Sequence, residues 1–147
     1  MKKLFFLLFL ATAFFSCKKE DQDKIDQDII TKYIADQNLD AKATGSGLYY
    51  VIEEEGTGRH PESNSYVKVA YKGYLTDGTV FDQSSAAGIK FKLTQVIEGW
   101  TEGIPLFKVG GKGKLIIPSK LGYGDQSTSG IPANSVLIFD IELLQVY

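Results

Sequence analysis

Few side chains in this sequence could act as a nucleophile or bind a metal ion. Cys17 is the only cysteine and His60 the only histidine. A disulfide within the chain is therefore excluded, and so is a metal site built on cysteine or on several histidines. A Ser–His–acid triad would depend on His60, which precedes Pro61 in a predicted loop, and the sequence has no Gly-x-Ser-x-Gly segment. We therefore expect neither a hydrolytic triad nor a cofactor.

Two glycine-rich segments do not predict a nucleotide site either. Gly56-Thr57-Gly58 lacks a third glycine at the required spacing and is not followed by a predicted helix, so we interpret it as a turn. Segment 110–114, Gly-Gly-Lys-Gly-Lys, lacks the Ser or Thr that follows Gly-Lys in a phosphate-binding loop. We expect no nucleotide ligand.

The remaining candidates for chemistry are a carboxylate and several aromatic residues. Asp82 directly follows Phe81 among apolar strand residues, where an ionised carboxyl group is costly unless it accepts hydrogen bonds. The alternative is a solvent-facing aspartate at the end of a strand. Each aromatic residue taken singly is explained well enough as part of a core. Their order and spacing in the chain therefore carry the argument below.

Composition limits what kind of protein this is. The chain has 147 residues, of which 44% are hydrophobic and 12% aromatic, so it has material for one packed domain with a short extension. Fifteen Gly against four Pro, with β-branched and aromatic residues in short runs, indicate a turn-rich β protein. The net charge is −2 and no basic stripe is present, so we expect no nucleic-acid ligand.

The first residues are typical of an export signal. Two lysines precede an apolar run over residues 4–15, which is shorter than a typical membrane-spanning helix. The run ends at Ser16-Cys17, which resembles the lipobox of bacterial lipoproteins. Residues 1–16 are thus predicted to be a signal peptide, with Cys17 lipidated and residues 17–23 forming a tether. The alternative is an ordinary signal peptide with an incidental cysteine.

The predicted anchor implies a location. Lys18-Lys19-Glu20-Asp21 is similar to the charged segment that sends some Gram-negative lipoproteins to the outer membrane, although a solvated tether explains it almost as well. We expect a lipid-anchored protein of the bacterial cell envelope, on the periplasmic or external face of the outer membrane.

Residues 24–44 are predicted to form a helix and a linker. The helix runs to about Gln37, and we expect it to pack on the domain. A dimerisation helix is the alternative, but about four turns make a short pairing surface, so we expect a monomer. Its apolar stripe consists of Ile25, Ile29, Ile30, Tyr33 and Ile34.

Residues 45–147 are predicted to form an α+β domain. Its antiparallel sheet of five to six strands would be covered by one short helix around Trp100, at residues 97–106. Asp77-Gly78 is predicted to be a tight hairpin turn. The predicted strands are at about residues 48–52, 67–72, 79–81, 91–93, 112–117 and 136–145.

Four ordered motifs in this domain resemble the FKBP-type peptidyl-prolyl cis-trans isomerases. The resemblance implies a half-barrel sheet wrapped over a helix, with the proline of the substrate in the hollow between them. The motifs are VAYKGYL and DGTVFDQS at 69–75 and 77–84, VIEGWTEG at 96–103, LGYG at 121–124, and IPANSVLIFDIEL at 131–143.

The resemblance also implies the site residues. Trp100 would form the floor of the hollow, Asp82 would accept a hydrogen bond from Tyr71 or polarise the substrate amide, and the N–H of Ile97 would bind a substrate carbonyl. Ile89, at a position where the family often has an aromatic residue, and Ile131 are assigned to flanking substrate contacts. The residues that match the family's catalytic pocket are Tyr71, Phe81, Asp82, Val96, Ile97, Trp100, Tyr123 and Phe139.

The function implied by the resemblance is prolyl isomerisation during the folding of exported envelope proteins. Rotation about a prolyl bond makes and breaks no bond to carbon, so the lack of a nucleophile agrees with it. The expected partners are proline-containing polypeptides and, by family resemblance, macrolide inhibitors. The alternative is a chaperone or adhesion lipoprotein that binds peptides in the same pocket without catalysis.

Overall fold

The structure is a computed structural model and describes residues 17–147. The predicted signal peptide, residues 1–16, lies outside the described residues. Three single 3₁₀ turns, at Leu93–Gln95, Ile104–Leu106 and Ser119–Leu121, supplement the main elements. The helices and strands are α1 (Cys17–Asp36), β1 (Lys42–Ala43), β2 (Tyr49–Glu54), β3 (Tyr66–Leu75), β4 (Val80–Gln83), β5 (Ile89–Lys92), α2 (Glu98–Gly103), β6 (Lys112–Ile117) and β7 (Leu137–Val146).

The strands form one antiparallel sheet in the order β1-β2-β6-β7-β3-β4, with β5 also paired to β3. The predicted antiparallel sheet with one short helix is confirmed, but the sheet has seven strands where five to six were expected. The extra strand, β1, lies in the predicted linker and pairs with Tyr49 and Tyr50 of β2. Its two residues are too few to show any alternation in the sequence.

The central strands β6 and β7 are buried on both faces over residues 115–117 and 137–139. Leu115 and Ile117 face α2 in the main core, whereas Ile116 between them belongs to a second cluster under α1. Side chains alternate along a strand, so an uninterrupted apolar run is what such a doubly covered strand requires. The two helices therefore pack on opposite faces of the sheet.

Helix α1 differs from the prediction in its start and in its buried face. It begins at Cys17 and includes residues 17–23, which were predicted to be a tether. The predicted stripe is only partly buried, because Ile25 and Ile29 are 50% and 36% exposed whereas Ile30 is fully buried. Asp26, four residues before Ile30, is also fully buried. Residues four apart share one helix face, so the packed face includes a carboxylate that apolar periodicity cannot identify.

The predicted packing of α1 on the domain is what the structure shows. Ile30 lies in the second cluster with Ile116, Val136 and Ile138. Over residues 17–147, no helix is both long enough and apolar enough to cross a membrane.

Candidate active site

The hairpin of β3 and β4 places Tyr71, Phe81 and Asp82 near one another. Its turn is at Asp77-Gly78, as predicted, with Gly78 at φ +88°. The Asp77 carboxylate accepts a hydrogen bond from Thr79 N–H at 2.9 Å. This bond lowers the pKa of Asp77 below its ordinary value and ties the turn to the start of β4.

Gly73 on β3 allows two aromatic rings to meet above it. It pairs with Asp82 of β4 on one side and with Phe139 of β7 on the other. A Cβ at this position would lie 2.6 Å from the Phe81 ring and 2.7 Å from the Phe139 ring. With glycine there, the two rings pack edge to face with centroids 5.5 Å apart.

Trp100 of α2 is the aromatic centre of the site. Its ring centroid lies 5.1 Å from that of Tyr71, 5.2 Å from Phe91 and 5.3 Å from Phe139, each in an edge-to-face arrangement. Its indole N–H is buried and has no hydrogen-bond partner among the described residues. Packing against three rings, and not a polar contact, therefore holds the indole in place.

These elements enclose a cavity of about 630 Å³. All eight residues predicted to form the catalytic pocket line it, and so does Ile131. Prediction from the sequence missed Phe91, Gln95, Thr128 and Ser129, which line it as well. The complete lining is Tyr71, Phe81, Asp82, Phe91, Gln95, Val96, Ile97, Trp100, Tyr123, Thr128, Ser129, Ile131 and Phe139.

Ile89, the other predicted flanking contact, does not line the cavity. It is the first residue of β5, a strand paired only with β3, and its side chain is 43% exposed. Phe91, two residues later, contributes the ring, with its centroid 5.9 Å from that of Tyr71. Ile89 and Phe91 lie opposite Val69 and Val67, which are both fully buried, so the register of β5 does not distinguish them. Position along the strand does, because the Phe91 ring reaches Trp100, with centroids 5.2 Å apart.

A hydrogen bond holds the only carboxylate of the lining. The Tyr71 hydroxyl donates to Asp82 Oδ2 at 2.7 Å, one of the two roles predicted for Asp82. Burial, the hydrogen bond to Asp82 and the charge of Asp82 together raise the pKa of Tyr71 to about 12. Tyr71 therefore keeps its proton and remains a donor at neutral pH.

The loop after the last 3₁₀ turn forms the rim. Tyr123 lines the cavity and is 42% exposed. Thr128 and Ile131 exchange two backbone hydrogen bonds of 3.0 and 2.9 Å, which close a short turn. Gly130 in this turn packs against Phe81, since a Cβ at Gly130 would lie 3.6 Å from that of Phe81. The turn thus covers one wall of the cavity.

The site is suited to enclosing an apolar group beside an amide. His60 does not line the cavity, and its Nδ1 lies 3.0 Å from the Pro105 carbonyl oxygen. Over residues 17–147, no three His, Cys, Asp or Glu side chains are grouped as metal ligands. The N–H of Ile97, which lines the cavity, forms no backbone hydrogen bond with another described residue.

Comparison with protein families relates this architecture to known proteins. Residues 57–144 match the family described as FKBP-type peptidyl-prolyl cis-trans isomerase. The chain is 53% identical over 107 residues to the FKBP-type peptidyl-prolyl cis-trans isomerase FkpA of Aeromonas hydrophila, covering 71% of this chain and 40% of that protein. A probable FKBP-type isomerase of Haemophilus influenzae is 46% identical over 131 residues, covering 87% of this chain and 52% of that protein.

Solved structures show the same fold. A peptidyl-prolyl cis-trans isomerase from Pseudomonas syringae pv. tomato superposes with a TM-score of 0.77 at 33% identity, covering 87% of this chain and 95% of that one. FkpA from Escherichia coli gives a TM-score of 0.71 at 40% identity, covering 89% and 65%. The chain spans about half the length of the curated relatives that it matches.

Proposed function

Since the chain belongs to the family of FKBP-type peptidyl-prolyl cis-trans isomerases, we propose that it catalyses rotation about the peptide bond before proline in the cavity over Trp100. The observation that carries the proposal is the cavity itself. It is walled by aromatic rings and large enough for a prolyl ring, and its single carboxylate is hydrogen-bonded to Tyr71. The substrates are proline-containing segments of polypeptides.

The rings act by desolvation. A planar prolyl amide spreads charge onto oxygen and nitrogen, whereas the twisted amide at the barrier is less polar. An apolar enclosure therefore favours the twisted state relative to the planar one. The uncatalysed barrier is roughly 18–20 kcal/mol, and a thousandfold acceleration requires about 4 kcal/mol of it.

Polar groups at the edge of the enclosure orient the substrate. The N–H of Ile97 donates to a substrate carbonyl, which fixes the chain on one side of the proline. Asp82 holds the Tyr71 hydroxyl at 2.7 Å, so this wall keeps one geometry while the amide rotates. No proton is transferred and no covalent intermediate forms.

An isomerisation assay with an Xaa-Pro peptide and the purified protein tests the proposal. We expect exchange to accelerate in proportion to protein concentration and to be strongly reduced in Phe81→Ala, which opens a cavity wall. Tyr66→Ala removes an exposed aromatic ring outside the cavity and is the matched control. Exchange no faster than in buffer would refute the enzyme.

The same experiment separates catalysis from binding alone. Trp100 is the only tryptophan and lies in the cavity wall, so its fluorescence reports occupancy by a peptide. A fluorescence change on peptide addition without accelerated exchange would support the alternative, a peptide-binding chaperone or adhesion protein.

We propose further that the protein is a lipoprotein of the bacterial envelope, anchored to the outer membrane through Cys17, and that it assists the folding of exported proteins. The support is the apolar run over residues 4–15 that ends at Ser16-Cys17. Metabolic labelling with a radioactive fatty acid should mark the protein but not Cys17→Ser. Equal labelling of both would contradict the anchor, and protease treatment of intact cells would distinguish the two faces of the membrane.

A further inference from the structure

A buried carboxylate joins helix α1 to the domain at one point. Asp26 is fully buried, and its Oδ2 accepts hydrogen bonds from the backbone N–H of Ser119 at 2.7 Å and from the Ser119 hydroxyl at 2.6 Å. Its Oδ1 accepts one from the Gln22 side chain at 2.8 Å. Burial of an unpaired carboxylate would be costly, so this pairing fixes where the helix docks.

Ser119 in turn holds the segment that carries Tyr123. Its carbonyl oxygen accepts hydrogen bonds from the N–H of Gly122 at 3.0 Å and of Gly124 at 2.8 Å. Tyr123 lies between these two glycines and lines the cavity. The position of the rim tyrosine therefore depends on Ser119, whose N–H and hydroxyl are both bonded to Asp26.

The segment is also anchored at Leu121, which packs against the main core, but Tyr123 itself has few other contacts. Tyr123 is half-exposed, and a Cβ at Gly124 would touch no neighbouring atom. One further backbone bond, from Asn134 N–H to Gly124, ties the segment to the next loop at 2.8 Å. The nearby pair of Lys120 with Asp23, at 2.9 Å, is partly exposed on both sides and contributes little.

From these contacts we infer that Asp26 is a positioning residue for the reaction: through Ser119 it holds Tyr123 at the mouth of the cavity, so helix α1 helps to set affinity for substrate. The inference rests on the proposed function of the cavity. Trp100, Phe139 and the other rings belong to the core on the opposite face of the sheet from α1. Loss of the Asp26 contact should therefore weaken substrate binding and leave the rotation step nearly unchanged.

The test compares Asp26→Asn with Asp28→Asn, the same substitution at an exposed position of the same helix. Ser119→Ala, which removes only the hydroxyl donor, serves as a milder second variant in case Asp26→Asn does not fold. KM, kcat and peptide affinity from Trp100 fluorescence are measured under conditions where circular dichroism shows each variant folded. The two Asn variants are also made in a Tyr123→Ala background.

We expect Asp26→Asn to raise KM and the peptide Kd roughly three- to tenfold, with kcat within about twofold and Asp28→Asn unchanged. Ser119→Ala should also raise KM and the peptide Kd, by a smaller factor. In the Tyr123→Ala background the effect of Asp26→Asn should largely disappear, because the two residues act through one contact path.

An equal effect of Asp26→Asn in the presence and in the absence of the Tyr123 side chain would overturn the inference. Unchanged KM and Kd in folded Asp26→Asn would also overturn it. If Asp26→Asn does not fold, unchanged KM and Kd in Ser119→Ala would have the same meaning. If the unmodified protein accelerates no exchange, the proposed enzyme is lost while the peptide-affinity comparison still decides the role of Asp26. If it neither binds peptide nor accelerates exchange, both proposals fall.

Discussion

Two kinds of side chain in the cavity matter most for the proposed reaction: aromatic rings, which exclude water from the substrate, and one carboxylate, which accepts a hydrogen bond from a hydroxyl group. Tyr71 connects the two kinds, because its ring packs against Trp100 while its hydroxyl donates to Asp82. Desolvation acts on the whole amide, whereas a single hydrogen bond stabilises by about 1 kcal/mol. Enclosure should therefore contribute more to the rate than the carboxylate does.

Tyr71→Ala and Phe139→Ala should each lower kcat/KM more than Asp82→Ala does. We expect losses of more than tenfold for either ring and of several-fold for the carboxylate, where tenfold corresponds to about 1.36 kcal/mol. Phe139 is nearly buried, so its variant must first be shown to be folded by Trp100 fluorescence. The reverse ranking in folded variants would show that the polar contact dominates.

The raised pKa of Tyr71 predicts that the free energy of unfolding depends on pH. An unfolded tyrosine ionises near pH 10, whereas burial and the contact with Asp82 raise the pKa of Tyr71 to about 12. Between these values the unfolded chain releases its proton before the folded one does. The contribution of this residue to the free energy of unfolding should therefore be complete below about pH 10 and decline as the pH rises towards 12.

Urea unfolding at a series of pH values from about 9 to 11.5 tests this expectation. Tyr71→Phe should lose stability less steeply above pH 10 than the unmodified protein. Part of the decline should remain, because burial also raises the pKa of Tyr74, which donates to Asp140 at 2.9 Å. Identical pH dependence of the unmodified protein and of Tyr71→Phe would contradict the assignment of the decline to Tyr71.

At the level of elements, close approach of α2 to β6 places the indole under the sheet. A Cβ at Gly99 would lie 2.6 Å from a methyl group of Ile117, and one at Gly103 would lie 2.6 Å from a methyl group of Leu115. Both partners are fully buried and cannot move aside. Two glycines four residues apart on one helix face thus set the distance between helix and sheet.

Gly99→Ala should push α2 away from β6 and displace Trp100. Overpacking of this kind costs about 1–3 kcal/mol, more than the helix propensity gained from alanine. We expect a lower midpoint in urea, a shifted Trp100 emission maximum and reduced kcat/KM. Glu98→Ala, at an exposed position of α2, is the control. Equal urea midpoints, emission maxima and kcat/KM in the two variants would show that a methyl group fits between α2 and β6.

At the scale of the whole molecule, α1 and the half-barrel are packed as one unit. Ile30 is fully buried against β6 and β7, although Ile25 on the same helix is half-exposed. Tyr33 and Ile34 of α1 also pack against this cluster, together with Leu39 and Ala41 of the segment that follows the helix. We therefore expect the helix and the sheet to unfold together.

Ile30→Ala should destabilise the entire domain by about 2–5 kcal/mol, and Ile25→Ala by less than about 0.5 kcal/mol. Trp100 lies on the opposite face of the sheet from α1, so its fluorescence reports unfolding of the sheet with α2 and not of α1. A lower Trp100 unfolding midpoint in Ile30→Ala alone would establish one cooperative unit. An unchanged midpoint would mean that α1 unfolds independently.

Much of the fold and of the site can be predicted from the sequence by itself, because short patterns along the chain specify these features. Alternation of apolar residues predicts β3 and β7, a short apolar run predicts β6, and Asp77-Gly78 predicts the hairpin that brings Asp82 to Tyr71. The order of the family motifs predicts the eight pocket residues that the structure gathers around one cavity. Such features depend on spacing within a few residues or on a motif that can be read along the chain.

Only the tertiary structure decided the features that depend on distant partners. The buried face of α1 includes Asp26 because Ser119, 93 residues away, supplies two hydrogen-bond donors to the carboxylate of Asp26. The packing of Phe91 against Trp100 placed Phe91 and not Ile89 at the cavity, and the turn from Thr128 to Ile131 lies beside Phe81. Periodicity measures how apolar a position is, whereas a polar residue can be buried wherever a partner from elsewhere in the chain satisfies it.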